Sequence, residues 1–391
     1  MGGILMLCFW LCACSSHHGE ADELTPATLS VYVYTPDNPV PTRANTDYVT
    51  GEANIYTLQL WVFRHDDGTL VGYFTPASTN ELVAAHSAIY QMVVTPQFAQ
   101  EKPNVDVYVL ANVTAETCGC SFNESTTRAQ LDEALLQHQD GGNDYFGLTD
   151  KVSAVPSTGI PMSGVLKDQP VTGQSPVFRV GESELATVKL VRAVSRLRFV
   201  FSQMRNDEGR VLRVTGITLT GDMILPRAEH LFLTGAYETG YEYRIKTEAG
   251  YEEGPITMAS ESDIDEVATC EDPLRYIYNA STMTPQSYEN LIASGLASTA
   301  GQAAALTQVG PYYLRETDQQ MAGEIRYCVD EGGQQGEERT ATFSMHDAGD
   351  FSRNHTWTVY AYYGMSRLEV LVVRVNSWQV AELVSHEVYN W

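Results

Sequence analysis

Asn54–Phe63 reads NIYTLQLWVF, Arg64–Thr69 reads RHDDGT, and Leu70–Phe74 reads LVGYF. Two apolar runs, rich in β-branched and aromatic residues, flank an Asp67-Gly68 pair. That combination predicts a β-hairpin. The same grammar recurs downstream. Tyr90–Val94 and Val105–Ala111 (VDVYVLA) predict strands, as do Val194–Phe201 (VSRLRFVF) and Arg210–Thr220 (RVLRVTGITLT). Ala341–Met345, Thr356–Tyr363 (TWTVYAYY) and Leu368–Val375 (LEVLVVRV) are strong strands, and Trp378–Trp391 ends the chain with loosely alternating apolar residues. Helices are few. Thr126–His138 places Leu131, Leu135 and Leu136 on one face with Thr127 as a cap, and Pro285–Leu296 is helical by pattern behind Thr284. Many short strands with turn signals between them predict an all-β chain of β-sandwiches. No fixed repeat period points to a solenoid or propeller.

Upstream of the hairpin, Leu29–Tyr34 (LSVYVY) alternates strictly: Leu29, Val31 and Val33 on one face, Ser30, Tyr32 and Tyr34 on the other. This predicts one strand. Thr35–Thr42 (TPDNPVPT) follows with three prolines, which cannot continue a ladder. The stretch reads as an exposed loop, where proteases cut. It leads into Arg43-Ala44, and Arg43 is the only basic residue before Arg64. From this segment alone Arg43 reads as a surface loop arginine.

Ile4–Ala13 is an unbroken apolar run, short of the about 20 residues needed to span a bilayer but of secretory length. It ends Leu11-Cys12-Ala13-Cys14, which resembles a bacterial lipobox. By that resemblance Cys14 carries lipid and becomes the mature N-terminus. The alternative is an ordinary signal peptide with an incidental cysteine. His17–Thr28 is a polar, acidic tether.

The chain has 391 residues, with 24 Lys+Arg against 49 Asp+Glu, a net charge of −25. Residues 1–43 hold one arginine and four acids, so the remainder keeps most of the excess. A surface of this sign repels phosphate backbones and excludes nucleic acid as a partner class. The length beyond Arg43 predicts two sizeable domains, 44–192 and 193–391, preceded by the signal (1–14) and the tether with its strand (15–43). Of seven cysteines, Cys118, Cys120, Cys270 and Cys328 lie outside the leader, and either disulfides or buried thiols account for them.

Taken in order, several features resemble the Bacteroidales fimbrillins, the type V pilus subunits. They are the lipobox at Cys14; a strand, then Arg43-Ala44, Glu52 and Ile55–Phe63 with the Asp67-Gly68 turn; Val188–Leu197 (VKLVRAVSRL); Tyr312–Glu316 (YYLRE); and Arg353–Val359 (RNHTWTV), a hydrophobic strand, Trp378 and Trp391. The resemblance implies two tandem transthyretin-like β-sandwich domains. It implies a lipoprotein precursor at the outer membrane, cut between Arg43 and Ala44 by an arginine-specific, trypsin-like protease. The strand carrying Leu29, Val31 and Val33 would leave. Its groove would accept another fimbrial subunit's C-terminal strand, here Leu368, Val370, Val372 and Val375 with the Trp378–Trp391 tail.

The sequence holds no phosphate-binding loop, nucleophile elbow or dinucleotide fingerprint. His386-Glu387 is followed by Asn390 where a zinc-binding helix needs its second histidine. Asp140–Asp144 and His65–Gly68 offer oxygens to calcium, but neither matches a known calcium loop and turn chemistry explains both. The expectation is therefore a non-enzyme with no cofactor and no metal. The 22 tyrosines and 5 tryptophans read as sandwich core, or as a host- or bacterium-binding surface of a tip adhesin. Beside a stalk subunit, an anchor, a tip adhesin and a monomeric glycan-binding surface lipoprotein are the alternatives.

Overall fold

A computed structural model describes residues 26–35, 52, 54–115, 121–137, 155, 157–182, 186–204, 209–221, 223–232, 247–253, 255–270, 307–317, 319–345, 351–364, 367–376 and 380–390. Cys14, Arg43, Ala44, Cys118, Cys120, Asp140–Asp144, Pro285–Leu296, Trp378 and Trp391 lie outside the described residues.

The chain is all-β, with three short α-helices among the described residues. The first half contributes β1 (Ala27–Tyr34), β2 (Leu58–Arg64), β3 (Leu70–Phe74), β4 (Ser87–Val94), β5 (Val105–Ala111), β6 (Leu135–Gln137), β7 (Met162–Gln169), β8 (Val171–Gln174), β9 (Val177–Val180), β10 (Thr187–Lys189) and β11 (Val191–Arg192). Helices α1 (Asn80–Ala85), α2 (Pro96–Glu101) and α3 (Arg128–Asp132) sit between them. One sheet runs β10-β1-β9-β8 with β4 on the other edge of β1, and a second runs β11-β7-β5-β2-β3. Leu29, Val31 and Val33 of the first sheet join Leu58, Leu60, Val62, Val107 and Val109 of the second in one core.

The second half contributes β12 (Ser195–Met204), β13 (Arg210–Thr220), β14 (Met223–His230), β15 (Thr247–Glu253), β16 (Ile256–Ser260), β17 (Thr269–Cys270), β18 (Thr307–Leu314), β19 (Ala322–Glu331), β20 (Arg339–Ser344), β21 (His355–Tyr363), β22 (Arg367–Asn376) and β23 (Val380–Asn390). Its sheets run β17-β12-β21-β22-β23, with β18 also on β12, and β16-β13-β19-β20. Leu197, Phe199, Phe201, Ile217, Ile325, Trp357, Val370 and Val372 fill the core between them.

Local chemistry explains the hairpin. Gly68 holds φ +72°, a left-handed conformation open to glycine. The Arg64 carbonyl accepts from Gly68 N, and Arg64 N donates back to Thr69 O. Asp67 Oδ1 accepts from Thr69 N, the turn reading of this acidic stretch. The predicted helix over Thr126–His138 is shorter than its pattern. Thr127 forms a capping box with Gln130, but the helix stops at Asp132. Leu135 and Leu136 leave it to pair, as β6, with His230 and Glu229 of β14. Tertiary pairing overrides a helical spacing there.

That pairing matters to the whole molecule, because β6 belongs to the first half and β14 to the second. A third core lies over it. Trp61, Phe63, Tyr108, Leu110 and Leu136 meet Val194, Leu231, Phe232 and Tyr313. The outer face of β2 and β5 is therefore buried as well, which is why NIYTLQLWVF is apolar on both faces.

Candidate functional site

β1 lies inside its sheet, with both edges paired. All eight residues pair antiparallel with β4, from Ala27↔Val94 to Tyr34↔Ser87. The opposite edge is shared: Thr28–Ser30 pair parallel with Val177–Arg179 of β9, and Tyr32–Tyr34 with Thr187–Lys189 of β10. The ends are tied too. Thr28 N donates to Pro176 O at 2.7 Å, Thr35 N to His86 O at 2.9 Å, and Leu190 N to Tyr34 O at 2.8 Å. Leu29, Val31 and Val33 are each 0 % exposed. Burying three such side chains is worth about 5–9 kcal/mol in apolar transfer. The strand thus fills a slot with two hydrogen-bonding lips and an apolar floor.

At the other end of the chain, β22 is sandwiched between β21 and β23. Leu368, Val370 and Val372 point into the second core. Val375 stands opposite Thr356 of β21 and Ala381 of β23. β23 pairs only with β22 among the described strands and forms that edge of its sheet. Of the predicted site residues, the structure therefore brings Leu29, Val31 and Val33 together in one slot and Leu368, Val370 and Val372 in another core.

Glu52, Arg192, Arg196, Tyr313, Glu316 and Arg353, all from stretches that carried the resemblance, meet at the junction between the two halves. Glu52 is buried, and Arg196 Nη1 donates to both of its carboxylate oxygens at 3.0 Å. Tyr313 Oη donates to Glu52 Oε1 at 2.7 Å, and burial beside that carboxylate raises the phenol well above its usual value, so it stays a donor. Arg192 Nη2 reaches the Glu52 carbonyl at 3.5 Å. Alongside, Arg353 has a fully buried guanidinium. It donates to Glu316 Oε1 at 2.6 Å, His230 O at 2.6 Å and Leu231 O at 3.0 Å. Glu316 N donates in turn to Glu229 Oε2 at 3.1 Å. Burial pushes the Glu229 carboxyl up to about 8.

Sequence reading named Glu52, Arg192, Arg196, Tyr313, Glu316 and Arg353 without giving them a task. For Arg192 and Arg196 the signal is charge placed inside an apolar stretch, VKLVRAVSRL. The strand β9, one lip of the slot, was missed; it has only four residues and two of them are exposed. A second polar cluster holds the hairpin end of the first half. Asp106, buried, accepts from Arg128 Nη1 at 3.0 Å and lies 2.7 Å from His65 Nδ1. Among the described residues, no group of three or more His, Cys, Asp or Glu side chains is placed to hold a metal ion. Cys328 is a buried free thiol.

No protein-family model matches the sequence, and no curated protein matches it. The chain is similar to the tip fimbrial protein Mfa3 of Porphyromonas gingivalis with a C-terminal truncation, at 12% identity over 94% of this chain and 100% of that one, with a TM-score of 0.44. It is similar to a fimbrial assembly protein of Parabacteroides distasonis, at 13% identity over 92% and 98%, TM-score 0.40. It is also similar to a candidate cell adhesion protein of Bacteroides eggerthii, at 14% identity over 94% and 96%, TM-score 0.46.

Proposed function

We propose that the chain is a structural subunit of a cell-surface fimbria. It is exported as an outer-membrane lipoprotein precursor held through Cys14, cut between Arg43 and Ala44, and polymerised by donor-strand exchange. The observation that supports this most is β1 itself: an interior strand, paired on both edges, that joins the rest of the chain through a segment whose one basic residue is Arg43. Loss of such a strand bares two rows of backbone donors and acceptors over an apolar trough. A strand from another subunit restores both. Because the slot lies in the first half and the donor in the last strands of the second, the contact is head-to-tail and grows into a filament. The slot is eight residues long, and β22 with ten or β23 with eleven is long enough to fill it.

In the same reading, 44–192 and 193–391 are the two domains, and other fimbrial subunits, an arginine-specific protease and the outer membrane are the partners. A single experiment tests it. Purified precursor is treated with a trypsin-like protease, followed by N-terminal sequencing and electron microscopy. Ala44 is expected as the new first residue, and filaments are expected to grow. Arg43→Ala is expected to leave a lipidated, unpolymerised precursor. Persistent monomers after correct cutting overturn the stalk reading in favour of a tip adhesin or a monomeric glycan-binding lipoprotein.

A further inference from the structure

β4 (SAIYQMVV) pairs with β1 along one edge over its whole length. Among the described residues no strand pairs with its other edge. Free edges of this length are normally blunted by lysine, proline or a bulge, because a bare row of N–H and C=O groups recruits any extended chain. β4 carries none of these. It has no charged residue, no proline and no glycine, in a chain with a net charge of −25. Its pairing with β1 runs without a register shift. Its outward side chains are Ile89, Gln91 and Val93, all exposed, with Ile89 at 51 % and Val93 at 66 %. These are two of the five large apolar side chains most exposed among the described residues.

The order of these residues, uncharged throughout, admits a second copy of the same strand. An antiparallel copy of β4 laid along the free edge must keep outward residues opposite outward residues, or its core side chains would face solvent. One register that satisfies this puts Gln91 opposite Gln91 of the second copy. Ile89 then faces Val93, and Val93 faces Ile89. Two β-branched pairs flank a pair of amides, with no charge anywhere in the row. On the inward face Ala88 meets Val94 and Tyr90 meets Met92, all four already turned toward their own core. The strand is self-complementary about Gln91.

We propose that the free edge of β4 is a self-association site, at which a second copy of this chain pairs antiparallel with Gln91 on the two-fold axis. The contact is isologous and closes at two copies. It uses the edge of β4 that faces away from β1, so it is independent of whether β1 is retained or replaced. In a filament it would join neighbouring filaments side by side rather than lengthen either one.

The test uses the full chain with Cys14→Ser, so that no acyl chain contributes to association. Light scattering across a concentration series is expected to show a monomer–dimer equilibrium. Val93→Lys, at an exposed position, is expected to weaken it at least tenfold while leaving unchanged the thermal midpoint measured at a concentration low enough that both proteins are monomeric. Gln91→Cys under mild oxidation is expected to give a covalent dimer. Ile89→Cys is expected to give none beyond the unsubstituted chain, because the two positions 89 lie four residues out of register, about 14 Å apart. A chain that stays monomeric at every concentration overturns the proposal. So does a dimer that ignores Val93→Lys, or one that cross-links equally through positions 89 and 91.

Discussion

Among the described residues, the buried Glu229 carboxyl ties the stability of the fold to pH. Burial raises its carboxyl to about 8; the Arg353 guanidinium opposes the rise and Glu316 adds to it. In the unfolded chain the same group releases its proton near its ordinary value of 4.5. Between those values the folded chain binds more protons than the unfolded one. The contribution of Glu229 is therefore fully present below about 4.5 and is lost as pH rises through about 8. Glu229→Gln keeps the shape and removes the titration. Urea unfolding of both proteins at about pH 5 and about pH 9 measures the effect. The parent is expected to lose of order a few kcal/mol more than the variant between the two conditions. Equal slopes would mean that the Glu229 charge is tolerated where it lies.

At the scale of elements, β1 makes a prediction that depends on processing. Val31→Asp places a carboxylate on a fully buried position between two paired edges. It is expected to destabilise the uncut precursor by several kcal/mol, or to expel β1 from its slot. In the proposed scheme, removal of residues 1–43 and seating of a donor strand would take the substitution away with the segment, and filament stability is expected to equal that of the parent. Differential scanning calorimetry on precursor and on assembled filament separates the two states, and a defect that survives into the filament would sink the exchange scheme. The elements also divide by how readily they could be read. β2, β5, β12 and β22 are long and apolar, so their own composition identifies them. β9 holds Val177, Phe178, Arg179 and Val180 and is a strand because β1 and β8 offer it edges on either side. The Leu131, Leu135 and Leu136 spacing fits a helix as well as it fits α3 followed by β6, and only β14, nearly a hundred residues away in sequence, decides between them. The junction network was hidden for the same reason. The partners of Glu52 lie at Arg196 and Tyr313, and no local pattern announces a carboxylate buried by residues that distant.

For the whole molecule, the junction decides whether the two halves move as one. If force enters a filament through the β1 slot and leaves through the last strands, it must cross between β11 and β12, which are separated by only Ala193 and Val194. The covalent link is braced by the β6–β14 pairing, by the third core and by the Glu52 clamp, which ties the segment just after Arg43 to β12 and β18. Removing Glu52 leaves Arg196 Nη1 without its carboxylate and takes the acceptor from Tyr313 Oη. Stranding one member of a buried ion pair costs about 3–5 kcal/mol. That cost falls on the junction, because both cores keep every side chain they had. Glu52→Ala is therefore expected to lower overall stability by about that amount, and also to split one cooperative unfolding transition into two, each half melting by itself. Arg196→Met strands the buried Glu52 carboxylate instead and is expected to cost a comparable amount, reduced by the hydrogen bond that Tyr313 Oη still donates. Calorimetry reads both properties together, the number of transitions and their midpoints. A single sharp transition in Glu52→Ala, merely shifted downward, would assign the coupling of the halves to the third core and the β6–β14 pairing instead of to the charge network.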